Sequence, residues 1–89
     1  MIEKEVRIKN KLGLHARAAV KFVNVANRFA SSVRLEKDTQ EIDGKSILGI
    51  LTLAAVRETR LTLKISGGDE EAALKALEKL IDNKFGEDE

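Results

Sequence analysis

The sequence predicts an α+β open-faced β-sandwich, a four-stranded antiparallel sheet of order 1-4-2-3 with three helices on one face. Three observations predict it. Four short segments alternate apolar and polar residues, the pattern of strands that bury one face only. Three other segments repeat apolar residues at helical spacing, and the resulting order is β-α-β-β-α-β-α. If strand four inserts between strands one and two, each crossover can be right-handed, so the sequence permits the order 1-4-2-3 without proving it. The 89 residues leave room for one hydrophobic core, so a single domain over 1–89 is expected.

In strand one, Ile2, Val6 and Ile8 alternate with Glu3, Glu5 and Arg7. A loop over 10–14 contains Gly13. The following helix carries Ala19, Phe22, Val23, Ala26, Phe29 and Ala30 as its core stripe. Val33 and Leu35 mark strand two and 40–42 a short strand three, joined through Lys37, Asp38 and Thr39. Gly44 breaks the chain, and Ser46 stands as the N-cap of a short helix with Ile47, Leu48, Ile50, Leu51 and Ala54. Leu61, Leu63 and Ile65 alternate with polar neighbours in strand four, which Gly67 and Gly68 end. Asp69 is expected to cap the last helix. Glu70 and Glu71 sit at its favourable dipole end, and Leu74, Leu77, Leu80 and Ile81 form its stripe, closed by Phe85 and Gly86. The acidic residues Glu87, Asp88 and Glu89 are expected to be frayed and solvated.

Composition excludes several classes of chemistry. Cysteine is absent, which removes disulfides, thiol nucleophiles and cysteine-based metal sites. No apolar run approaches the roughly 18 to 20 residues that span a bilayer, and the N-terminal segment lacks a signal core, so a cytoplasmic protein without membrane insertion is expected. The net charge of +1 gives no global field for nucleic acid. Aromatic residues at 3% are too few for a sheet that stacks RNA bases, so no nucleic-acid partner is expected. So small a core also makes any pocket shallow.

The single histidine, His15, lies where the loop meets the first helix. A helix N-terminus offers unpaired N–H groups and partial positive charge, so an anion beside His15 would meet the backbone of Ala16 and Arg17. The Arg17 guanidinium adds a two-pronged phosphate donor. The same dipole works against imidazolium, so a neutral, nucleophilic ring is expected near pH 7. From composition alone, the better reading of a lone histidine is an exposed loop residue serving as a helix cap, and Gly13 and Arg17 beside it shift that only modestly. A metal is not expected, because no carboxylate lies near His15 in sequence. Gly44-Lys45-Ser46 imitates the end of a phosphate-binding loop, but the required first glycine is Thr39. Ser46 lacks the glycine-flanked elbow of a serine hydrolase.

Gly13-Leu14-His15-Ala16-Arg17-Ala18-Ala19 and Gly44-Lys45-Ser46-Ile47-Leu48-Gly49, at this separation on this element order, resemble the HPr family of the bacterial phosphotransferase system. The resemblance spans essentially the whole chain. It implies a phosphocarrier, not a turnover enzyme, with no cofactor. His15 would accept a phosphoryl group on Nδ1 from Enzyme I, charged by phosphoenolpyruvate, and pass it to EIIA-type domains in sugar uptake. Arg17 and the helix N-terminus would hold the phosphate. Ser46 matches the family's regulatory serine, phosphorylated in many bacteria by an ATP-dependent kinase, and the simpler reading is an N-cap. A kinase/phosphatase for Ser46 and a transcriptional regulator would be further partners.

The resemblance also groups Val20, Ile47, Leu48 and Leu51 into a docking patch near His15 on a monomer. Spacing places Val20 and Leu48 off the core stripes of their helices. The chain departs from the family at Ala18, where proline is usual, and at Ala54 and Arg57, where glycines are often found. A nitrogen-type or chiefly regulatory relative is the alternative within the same resemblance, and the sequence does not choose the pathway or the EIIA partner.

Overall fold

Period-two patterning resolves into an antiparallel sheet in the computed structural model, which describes residues 1–88. The elements are β1 (Ile2–Arg7), α1 (Ala16–Ala26), β2 (Ser32–Lys37), β3 (Gln40–Asp43), α2 (Ile47–Thr52), β4 (Arg60–Ser66) and α3 (Glu70–Asp82), followed by a single turn over Lys84–Gly86. The strand order is β1-β4-β2-β3, as expected. Register explains the two faces. Val33 pairs with Ile65 and Leu35 with Leu63, putting all four side chains into the core. Arg34 pairs with Lys64 and Glu36 with Thr62 on the open face, where Lys64 bridges Glu36 and Glu41.

The helices fill the other face through Ala18, Ala19, Phe22, Val23 and Ala26 of α1 and Ala73, Leu77 and Ile81 of α3, all buried. Four expectations need correction. First, α1 ends at Ala26, before Phe29 and Ala30. Phe29 packs half-buried from the turn beyond, and Ala30 is exposed. Second, α2 turns Ile50, with Leu53 just past its end, into the core, whereas Ile47, Leu51 and Ala54 are exposed. A six-residue helix holds too little of the 3.6 period to fix its phase from spacing.

Third, Asp69 occupies the N-cap of α3 without capping it, because its carboxylate binds Ala30 and Ser31 instead. Glu70, the first residue of α3, instead ties back to the preceding turn, its carboxylate accepting from the Gly67 N–H at 3.1 Å. Fourth, the C-terminal acidic segment is anchored. Phe85, at φ 57, is fully buried, and the chain turns back so that Glu87 packs against the start of α1. Asp88 is exposed as expected, and Glu89 lies outside the described residues.

Candidate functional site

The loop before α1 is fastened to the segment before β4. Ile8 and Glu58 to Thr59 exchange backbone hydrogen bonds of 2.7 and 3.0 Å, and the Leu14 N–H donates to the Ala55 carbonyl at 2.9 Å. Gly13 makes this approach possible, since it adopts φ +70 and a Cβ there would meet the Ala55 carbonyl and lie 2.9 Å from Val56 Cα. Buried Leu14 anchors the next step. The chain thus delivers His15 to the N-cap of α1, with its carbonyl accepting from the Ala19 N–H at 2.9 Å.

The His15 side chain does not cap α1, no other side chain among the described residues does so, and the first turn of the helix holds no acidic residue. The N-terminal N–H groups, Ala16 and Arg17 among them, are therefore open to an anion. Arg17 is exposed, with no hydrogen-bond or ion-pair partner among the described residues. His15, Ala16 and Arg17 share an open depression with Lys11, Leu12, Glu87 and Asp88. The three residues expected at the site from the sequence thus lie side by side at one surface.

Sequence reasoning missed the group that touches the imidazole. His15 Nε2 lies 2.5 Å from Glu87 Oε2, across 72 residues of chain. The other oxygen, Glu87 Oε1, accepts from Asn10 Nδ2 at 3.0 Å, and Asn10 Nδ2 also donates to the Gly13 carbonyl at 2.7 Å. Burial works against the Glu87 charge, but the hydrogen bonds from Asn10 and His15 and the nearby charges of His15 and Lys21 outweigh it, holding the carboxyl below its usual range. Lys21 also pins the preceding turn, its Nζ donating to the Phe85 carbonyl at 2.6 Å.

Ser46 is the N-cap of α2, and its Oγ accepts from the Gly49 N–H at 3.0 Å. Lys45 beside it fixes the approach by donating to the Phe29 carbonyl at 2.8 Å. Val20, Ile47, Leu48 and Leu51 are all exposed, Leu48 most of all at 77%. They lie on α1 and α2, which pack against each other. Leu12 and Val56, not singled out from the sequence, are exposed apolar residues as well. Among the described residues, no group of three or more acidic or histidine side chains is placed to hold a metal, and no helix is long and apolar enough to cross a membrane.

A family model described as "PTS HPr component phosphorylation site" matches residues 2–83. The chain belongs to the HPr family. Among HPr proteins, that of Pseudomonas aeruginosa is 50% identical over 86 residues, covering 96% of both chains. The HPr-like protein Crh of Halalkalibacterium halodurans is 44% identical over 82 residues, covering 92% of this chain and 98% of its own. The crystal structure of HPr from Thermoanaerobacter tengcongensis superposes with a TM-score of 0.96 at 46% identity and covers both chains completely. The HPr assignment thus rests on sequence and on fold alike, and it makes the chain one of a family of phosphocarriers.

Proposed function

We propose that this HPr relays a phosphoryl group from phosphoenolpyruvate-charged Enzyme I, through His15 Nδ1, to EIIA-type acceptors in sugar uptake. The observation that carries the reading is His15 at the N-terminus of α1, with Arg17 in the same depression, neither the helix end nor Arg17 having a side-chain partner among the described residues. In the transfer, the Nδ1 lone pair forms the P–N bond as the phosphorus bond to the donor breaks and its electron pair leaves with the donor. The onward step reverses this: the P–N bond breaks, its pair returns to Nδ1, and the acceptor takes the phosphoryl group.

Such a transfer passes through a loose transition state, so the carrier's task is to place the ring in line and to stabilise charge on the phosphoryl oxygens. The Ala16 and Arg17 N–H groups and the Arg17 guanidinium do the second. Donor and acceptor dock in turn on Val20, Ile47, Leu48 and Leu51, which suits a monomer in the cytoplasm. A phosphate on Ser46, placed there by an ATP-dependent kinase, would meet the favourable dipole end of α2 and set negative charge in that docking surface. Inhibition would then be electrostatic.

A second reading, a nitrogen-type or chiefly regulatory relative, is favoured by Ala18, which stands where the family usually has proline. It uses the same two residues but ends in phosphorylation-dependent protein binding, including binding to a transcriptional regulator. Following the phosphoryl group separates the two. The sugar-relay reading predicts that phosphorylated chain returns to its unmodified mass on adding a sugar-specific EIIA domain, with the EIIA gaining the group. Retention of the phosphoryl group by the carrier would support the second reading.

A further inference from the structure

We infer that Glu87 is a positioning residue for His15, a carboxylate that holds the proton on Nε2 and so presents the Nδ1 lone pair to an incoming phosphoryl group. The inference deepens the relay reading and rests on it for the identity of the incoming group. An ionised carboxylate only accepts hydrogen bonds, so the hydrogen in the 2.5 Å contact between Glu87 Oε2 and His15 Nε2 belongs to the ring. A neutral imidazole has one such hydrogen. Placing it on Nε2 leaves Nδ1 unprotonated, and the carboxylate also fixes the rotation of the ring. The arrangement resembles in logic the carboxylate that orients the base of a catalytic triad.

After transfer the ring carries the phosphoryl group on Nδ1 and keeps its proton on Nε2. That ring is cationic, and Glu87 faces the positive charge directly. When the P–N bond breaks, the electron pair returns to Nδ1 and the proton stays where Glu87 holds it. No proton needs to move in either direction.

The carboxylate is held in place by more than the histidine. Asn10 is completely buried, and it spends its two amide hydrogens on the Gly13 carbonyl and on Glu87 Oε1. Its Oδ1 has no partner among the described residues. A buried amide with an unpaired oxygen is less stable than an apolar side chain of similar size, so its presence has to be explained by the donors it aims. Those donors join the Gly13 loop to the carboxylate beside His15. From the other side, buried Phe85 and the Lys21 bond to its carbonyl set the turn that launches Glu87, whose N–H bonds the Lys84 carbonyl at 3.0 Å. Lys11, Arg17 and Asp88 are the other charged groups lining the depression.

The test compares wild type, Glu87→Ala and Glu87→Gln, each labelled with 15N-histidine. Ring nitrogen shifts and the Nε2 proton are recorded at neutral pH with no donor present. The expected result is a single Nε2-protonated tautomer with a protected, downfield proton in wild type. Glu87→Ala should relax toward the tautomer mixture of free histidine and lose that proton to exchange. Glu87→Gln, which can still accept through its amide oxygen, should keep the tautomer. In single-turnover transfer from Enzyme I, Glu87→Ala should lower the rate constant about tenfold or more with the KM for the donor unchanged, and Glu87→Gln should recover part of it. Identical ring spectra in wild type and Glu87→Ala, or equal transfer rates, would overturn the inference. A wild-type chain that takes no phosphoryl group from Enzyme I would overturn the relay instead, and the spectra would still decide whether Glu87 sets the tautomer.

Discussion

Asp69 and Ser31 lock the start of α3 to the chain entering β2: the Asp69 carboxylate accepts both the Ser31 N–H, at 3.0 Å, and the Ser31 hydroxyl, and it takes the Ala30 N–H at 2.9 Å as well. The Ser31 hydroxyl, followed by the Ala30 N–H, lowers the Asp69 carboxyl below its ordinary 3.8 against the opposing effect of burial, and the Ser31 N–H adds to the lowering. A carboxyl depressed in the folded state adds stability that is complete above its unfolded value and lost as pH falls through its folded value. Thermal unfolding should therefore become steeply pH-dependent below about pH 4. Asp69→Asn should melt lower at neutral pH and lose less of its remaining stability on acidification. Parallel melting curves for the two chains across that range would rule the lock out as an acid-sensitive element.

Ala54 adopts φ 51 just beyond the C-cap of α2, a left-handed conformation that glycine takes without a Cβ penalty. Of the two positions where the family often has glycine, strain is found at Ala54. In the same connection to β4, Glu58 is also left-handed, at φ 75, one position beyond Arg57. Ala54→Gly should raise stability by about 1 kcal/mol, measured by denaturant unfolding, because relief of strain exceeds the entropy added to the unfolded chain. Destabilisation would mean that the exposed Ala54 methyl contributes packing the strain argument leaves out.

The Ser46 cap makes a different prediction for two substitutions at one atom. Ser46→Ala removes the acceptor for the Gly49 N–H and should destabilise by about 1 kcal/mol. Ser46→Asp keeps an acceptor at the dipole's favourable end and should leave stability near wild type while weakening Enzyme I binding, read by calorimetric titration. Unaltered affinity in Ser46→Asp would confine Ser46 to its capping role.

What the sequence revealed follows from how locally each feature is encoded. β4 was legible throughout, because Leu61, Leu63 and Ile65 lie in a strand paired on both sides, with a buried and an open face. α1 was legible on its stripe but not at its end. Phe29 continues the helical spacing although the chain leaves the helix at Asn27, because a turn residue can reach the core from outside the helix. His15, Ala16 and Arg17 were legible because a helix N-terminus is a local object. Glu87 was not, since it reaches His15 only after a turn with positive φ at Lys84 and Phe85, where no glycine marks the reversal before Gly86. An acidic run at the end of a chain looks the same whether it is solvated or docked.

Arg17 is exposed and without a partner among the described residues, so little of the fold depends on it. Arg17→Ala should change the unfolding midpoint negligibly and slow phosphoryl transfer in both directions by about tenfold or more, measured in single-turnover reactions with Enzyme I and with an EIIA domain. An unchanged rate would assign the phosphoryl oxygens to another cation, with Lys11 in the same depression the first to replace.

The most direct test of the account is the intact mass of the chain and of His15→Ala after incubation with Enzyme I and phosphoenolpyruvate, followed by brief acid treatment. The account predicts one added phosphoryl group that acid removes, present in wild type and absent from His15→Ala. A group that survives acid, or one that His15→Ala also acquires, would contradict it and move the chemistry away from His15.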